Sequence, residues 1–278
     1  MTRGPRRSTA PISMFHTAIV RPPGSHFARG LTRGYLGTPD LDRARAQHRD
    51  YVRALERCGL EVVVLEPVDI YPDSTFIEDT AVLLPQCAVL ARPGAPSRRG
   101  EVELVREALA SRVARVRTIE PPGTLDGGDV CEIGSHFLIG ISERTNDEGA
   151  AQLEEHLAEE GFTSGRIALN GDPELLHLKS GLSWLGGRRL MATETLAAHP
   201  ALAGFEIVRV ESDEQMGANG VRLNDHMLIP AGFPRLEARL GGLGLPLIAL
   251  EMSEFQKMEG GISCLSLRLG DARSQRGM

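Results

Sequence analysis

The chain has 278 residues, a formal net charge of −6 and a sequence pI near 5.8, a balance ill suited to nucleic acid or an anionic membrane surface, so neither is expected as a partner. No apolar run approaches the roughly 20 residues that a membrane-spanning helix needs. The four cysteines, Cys58, Cys87, Cys131 and Cys264, are irregularly spaced without a C-x-x-C, which fits a reduced, cytoplasmic protein better than a disulfide framework or a zinc site.

Residues 1–14, with Arg3, Arg6 and Arg7 in polar surroundings, read as a disordered N-terminal tail, 15–270 as one α/β domain, and 271–278 as a flexible C-terminal tail. A strand over 17–20 opens the domain. A helix is expected from Thr38-Pro39-Asp40, with a cap hydroxyl, proline in the first turn and an acid at the positive end of the dipole. Leu41, Ala44, His48, Val52, Leu55 and Cys58 keep its period. Strands follow over 61–65, 81–84 and 88–91. A second helix begins after Ser97, with Val102, Val105 and Leu109 on one face. Two strands lie around Val130 and over 136–140. A third helix opens at Thr145-Asn146-Asp147-Glu148 as a capping box and ends at Gly161. The remainder repeats the theme: strands over 166–169, 182–184, 189–192, 205–210, 220–222 and 226–229, a helix around 235–240, then strands over 247–250 and 262–269. Strand pairs followed by a helix and another strand recur, suggesting repeated ββαβ modules in one domain. No G-x-G-x-x-G or G-K-[ST] is present, which argues against a dinucleotide or P-loop site.

Four segments hold residues able to carry chemistry. Asp73-Ser74-Thr75-Phe76-Ile77-Glu78-Asp79 is either a solvated turn or an acidic wall that holds a guanidinium or ammonium group by charge-assisted hydrogen bonds. Asp126-Gly127-Gly128-Asp129 reads as a hairpin turn on its own. His177, flanked by Leu176 and Leu178, reads as a core histidine, and Cys264, after Gly260-Gly261 in an apolar strand, as an inert buried thiol. Together the thiol, the imidazole and a carboxylate are the parts of an activated nucleophile. Arg98 and Arg144, each just before a helix start, are surface charges singly but suit a carboxylate in company. Acids for a cation, arginines for a carboxylate and a Cys/His/Asp set describe a site for an amino acid that carries a guanidinium.

Across about residues 16–269 the sequence resembles the dimethylarginine dimethylaminohydrolases of the guanidine-modifying superfamily. The matching blocks are 72–82, 92–99, 125–130, 144–146, 176–180, 218–219 and 252–264. The resemblance implies a single-domain α/β propeller of five ββαβ modules of the pentein type. It implies Cys264 as nucleophile, His177 as general acid and base, and Asp126 as the carboxylate that orients the imidazole. It places Asp73, Glu78 and Asp79 on the substrate side, Arg98 and Arg144 at the α-carboxylate, and Leu31 and Met258 near the α-amino end. The implied reaction turns methylated arginine, a small-molecule partner, into citrulline and an amine, with no cofactor or metal, in a chain that could pair as a homodimer. A deiminase that releases ammonia from arginine is the alternative chemistry, and a non-catalytic sensor of guanidino amino acids the alternative class.

Overall fold

The computed structural model describes residues 14–33, 36–169 and 175–271. The expected tails therefore lie outside the described residues except for Met14 and Asp271. Among the described residues no helix is long and apolar enough to cross a membrane.

The elements fall into five repeats of one pattern. The first holds β1 (Phe15–Val20), α1 (Leu41–Arg57) and β2 (Glu61–Val64). The second holds β3 (Ala81–Leu83), β4 (Cys87–Leu90), α2 (Glu103–Ala110) and β5 (Arg115–Thr118). The third holds β6 (Val130–Ile133), β7 (His136–Ile141), α3 (Asp147–Glu159) and β8 (Thr163–Ala168). A short α4 (Leu178–Gly181) leads into β9 (Leu182–Gly186), β10 (Arg189–Thr193), α5 (Glu194–Ala197) and β11 (Glu206–Val210). The fifth repeat is β12 (Val221–Leu223), β13 (His226–Pro230), α6 (Pro234–Gly241) and β14 (Leu247–Leu250), followed by α7 (Ser253–Gln256) and β15 (Leu267–Gly270). Each repeat forms a three-stranded sheet in which the middle strand pairs antiparallel with one neighbour and parallel with the other. The first sheet is completed by the last strand: β15 runs antiparallel to β1, with Ile19 opposite Leu267. The ends of the domain thus share one sheet, and the architecture is the expected five-module α/β propeller.

The middle strands are covered on both faces by helices and neighbouring modules, so they read as nearly unbroken apolar runs such as Cys87-Ala88-Val89-Leu90, all buried. The outer β5, with Arg115 and Arg117 alternating with Val116 and Thr118, has no such run, and the sequence reading did not anticipate it.

Three helix starts differ from expectation: around Ser97 the chain first forms a 3-10 segment over Pro96–Glu101, and α2 begins only at Glu103. The N-cap of α1 is Asp40, whose carboxylate accepts Arg43 N–H at 2.9 Å, so Thr38 lies outside the helix. The N-cap of α3 is Asn146, whose amide oxygen accepts Gly149 N–H at 2.9 Å; Thr145 points its hydroxyl elsewhere, as described below. The expected strand over 262–269 is also divided. Ser263–Leu265 is a single tight 3-10 turn, and only Leu267–Gly270 is strand.

That turn belongs to a set. Just before the first strand of each module lies a tight turn or short helix: Ile77–Thr80 before β3, Gly127–Asp129 before β6, α4 before β9, Ser212–Ala218 before β12 and Ser263–Leu265 before β15. Asp79, Asp126, His177, Asn219 and Cys264 lie in or directly beside them, at corresponding places in successive modules. The repeat of the fold is what brings residues so distant in sequence to one centre.

Candidate active site

His177 caps α4 with extended backbone. Its position is set from behind by Asp129, which is fully buried: one oxygen accepts Leu178 N–H at 2.9 Å, and the other accepts the hydroxyls of Ser142 and Thr145, both at 2.7 Å. Burial pushes the Asp129 carboxyl up to about 6 even against these bonds. Thr145 also accepts Asp126 N–H at 3.1 Å, so the hydroxyl that the sequence suggested as a helix cap instead ties two acids together.

The Asp126 carboxylate accepts Gly94 N–H at 2.9 Å through one oxygen and lies 3.0 Å from His177 Nε2 through the other. Asp79 Oδ1 is 3.9 Å from the same nitrogen and accepts Gly128 N–H at 2.9 Å. Gly128 allows this approach, because a Cβ there would sit 2.7 Å from Asp79 Oδ1 and 2.8 Å from His177 Cγ. Burial alone would discharge the imidazole, but Asp79, Asp126 and Asp129 outweigh it and lift His177 to about 9. Asp79 is driven the other way: burial opposes its charge, yet His177 and Arg98 hold its carboxyl down at about 2.

Cys264 is half-buried and accepts Gly261 N–H at 3.4 Å. Burial, reinforced by the charges of Glu78 and Asp79, pushes its thiol up to about 12. At neutral pH these shifts favour a neutral thiol and a protonated imidazole. Cys58, Cys87 and Cys131 are also free but buried in core surroundings.

Cys264, His177, Asp73, Asp79, Arg98, Arg144, Leu31 and Met258 line one cavity, together with Phe76, Leu176, Glu259 and Gly260. Leu31 N–H donates to Asp73 at 3.0 Å, and Gly30 permits the contact, since a Cβ there would come within 2.4 Å of the Asp73 carboxylate. Asp126 stands behind His177 rather than on the wall.

Two expected substrate contacts are placed differently. Glu78 is not on this wall. It faces a separate cavity, where its carboxylate is shared by Lys179 Nζ at 2.6 Å, Arg268 Nη2 at 2.5 Å and Ser263 Oγ at 2.7 Å. Arg98 lines the Cys264 cavity but is 4% exposed, and its fork is largely committed to protein. Nε and Nη2 donate to Glu101, Nη2 also to Phe76 O, and Nη1 to Asp79. Arg144 is more open, with its nearest described carboxylate, Asp126, at 3.9 Å.

Asp79, Asp126 and His177 present donor atoms within 4.8 Å of one another, the grouping of the described residues with metal-ligand chemistry. Those acids already hold Arg98, Gly128 N–H, Gly94 N–H and the imidazole, contacts that a metal ion would have to displace. Sequence reasoning passed over Glu101 and gave no individual role to Asp129, Leu176 and Asn219, although these three lie in the segments it singled out. Glu101 had a local signal, standing three residues after Arg98, where helical turns bring side chains together; the others needed the tertiary contacts.

The family description "N,N dimethylarginine dimethylhydrolase, eukaryotic" matches residues 38–177. The N(G),N(G)-dimethylarginine dimethylaminohydrolase of Pseudomonas aeruginosa is 39% identical over 256 residues, covering 92% of this chain and 100% of that protein. Its counterpart from Streptomyces coelicolor is 35% identical over 254 residues, 91% of this chain and 96% of the relative. A solved Pseudomonas aeruginosa structure, a cysteine-to-serine variant complexed with citrulline, superposes with a TM-score of 0.89 at 38% identity, over 92% of this chain and 100% of that one. A histidine-to-glycine variant of a dimethylarginine dimethylaminohydrolase, as an adduct with S-methyl-L-thiocitrulline, matches with the same TM-score of 0.89. On this likeness, which spans nearly all of the sequence, the chain belongs to the dimethylarginine dimethylaminohydrolase family.

Proposed function

We propose that the protein hydrolyses Nω-methylated arginines to citrulline and methylamine or dimethylamine, with Cys264 as nucleophile, His177 as acid and base, and Asp126 orienting the imidazole. The observation that carries this reading is one cavity in which the Cys264 thiol and the His177 imidazole face the carboxylates of Asp73 and Asp79, with Arg144 at its wall. The relatives solved with citrulline and with S-methyl-L-thiocitrulline support the same substrate class.

A guanidinium stays protonated at neutral pH and resists attack because its charge is delocalised. Asp79 and Asp73 hold that charge. Its arrival beside Cys264 offsets the burial and the acidic charges that keep the thiol neutral, so binding itself favours the thiolate, with the thiol proton released to solvent. The thiolate forms a C–S bond to the guanidinium carbon. The C–N bond to the methylated nitrogen breaks as that nitrogen takes a proton from His177, and the amine leaves neutral. Water then adds to the S-alkylthiouronium carbon and gives its proton to His177. The C–S bond breaks and the thiolate is restored, the second proton of that water passes by solvent to the released amine, and citrulline remains with an uncharged urea. Without its charge the product loses its attraction to Asp79 and is released.

Quantifying citrulline from asymmetric dimethylarginine, monomethylarginine and arginine, with the amine identified, tests this. Methylamine or dimethylamine as the main nitrogen product is expected. Ammonia from unmethylated arginine as the faster reaction would replace the reading with a deiminase.

A further inference from the structure

We propose that Asn219 is a positioning residue that sets the Cys264 thiol against the His177 imidazole; this rests on the cysteine–histidine reaction above. Asn219 follows the turn Ser212–Ala218 and is 6% exposed. Its Nδ2 donates to Lys179 O at 2.8 Å, on α4 two residues beyond His177, and to Ser263 Oγ at 3.2 Å. Its Oδ1 accepts Ser263 N–H at 2.9 Å, on the residue just before Cys264. One planar amide thus spends both its ends on the two segments that carry the reacting groups. Ser263 Oγ continues to Glu78 at 2.7 Å, and Glu78 holds Lys179 Nζ at 2.6 Å. The path closes into a ring that joins the cysteine turn to α4.

Asn219 also determines the backbone beneath the thiol. Gly261, whose N–H donates to Cys264 Sγ, packs so closely on the amide that a Cβ would lie 2.3 Å from Asn219 Cγ. An apolar side chain of similar size could fill this space, but it would leave Lys179 O and Ser263 N–H without these partners, at the cost of buried, unsatisfied polar groups. Asn219 lines a neighbouring cavity that shares Leu176, Glu259 and Gly260 with the Cys264 cavity but is not on the wall of the latter, and the groups proposed to hold the substrate, Asp73, Asp79 and Arg144, come from other modules. Loss of the amide therefore changes the alignment of thiol and imidazole more than the holding of substrate.

The experiment compares Asn219→Asp, which keeps the shape but replaces the donor with an acceptor, and Asn219→Ala, both in the full chain and checked for folding by circular dichroism. With monomethylarginine, kcat is expected to fall by about tenfold or more while KM stays within about threefold, as for a small misplacement of reacting groups. Iodoacetamide alkylation of Cys264, followed by peptide mass spectrometry, is expected to change rate in both variants. A parent-like kcat in either folded variant, or a loss expressed in KM with kcat kept, overturns the proposal. If Asn219→Ala does not fold, the near-isosteric Asn219→Asp decides. Alkylation needs no substrate, so a parent protein that turns over no methylarginine would defeat the functional reading alone. In that case parent-like alkylation of Cys264 in the variants is what defeats the positioning role.

Discussion

Arg98 Nη1 lies 2.5 Å from Asp79 Oδ2, and both groups are shut away from solvent. The arginine that the sequence offered for a substrate carboxylate is thus the counter-charge of the acid offered for the substrate cation. Burial opposes the charge on both; His177 and Arg98 keep Asp79 ionised, and Glu101 and Asp79 keep Arg98 so. Removing one member of such a buried pair leaves the other uncompensated, typically at about 3–5 kcal/mol. Arg98→Ala is therefore expected to lower stability by that order in urea unfolding. A cost below about 0.5 kcal/mol, the usual range of a surface substitution, would contradict it.

Arg144 is the more available cation for an α-carboxylate. Loss of a hydrogen bond to a charged group costs about 1.5–3 kcal/mol. Arg144→Ala should raise KM for monomethylarginine by roughly tenfold to a hundredfold and leave methylguanidine, which has no carboxylate, nearly unaffected. Asp79→Ala should impair both compounds, since both carry the cation. Equal losses on the two compounds for Arg144→Ala would show that this arginine supports the fold instead.

Cys264→Ser should bind methylarginine with nearly parent affinity in calorimetry but give no citrulline, because a hydroxyl is a far weaker nucleophile near neutral pH. In the parent protein, acid-quenched turnover should leave a covalent adduct on Cys264. An adduct confined to Cys58, Cys87 or Cys131 would refute the assignment.

His177→Gly should slow both halves of the reaction, since leaving-group protonation and water activation pass through the same imidazole. The S-alkylthiouronium should persist long enough for intact-mass detection. Turnover at the parental rate would reduce His177 to a packing residue.

The raised pKa of His177 also gives stability a pH dependence. Its folded value of about 9 lies above the unfolded value near 6.5. Its contribution is therefore complete below about 6.5 and disappears as pH rises through about 9. The stability difference between the parent and His177→Gln, from urea unfolding at pH 6 and at pH 10, should shrink at the higher pH. A difference that widens with pH would reverse the sign of the argument. Asp79 acts at the other end: held at about 2 against an unfolded value near 3.9, it stabilises above the unfolded value and ceases to do so as pH falls towards 2.

The sequence by itself determined the repeated ββαβ pattern, because middle strands covered on both faces must read as apolar runs and α1 must bury one helical stripe. It also determined which side chains could react: Cys264, His177 and the acids around Asp79 and Asp126 were legible as chemistry, and as neighbours only through the family resemblance. Tertiary structure decided their arrangement. Glu78 and Asp79 are adjacent on one turn, yet Glu78 meets Lys179 and Arg268 while Asp79 meets Arg98 and the imidazole, a division set by the backbone of that turn and not by composition. Thr145 looked like a cap because local patterns favour it, but a buried Asp129 without hydrogen-bond partners would be costly, and the hydroxyl answers that need. Burial and long-range charge placed Cys264 and His177 at their resting protonation states, and these terms exist only once the five modules have closed on one centre.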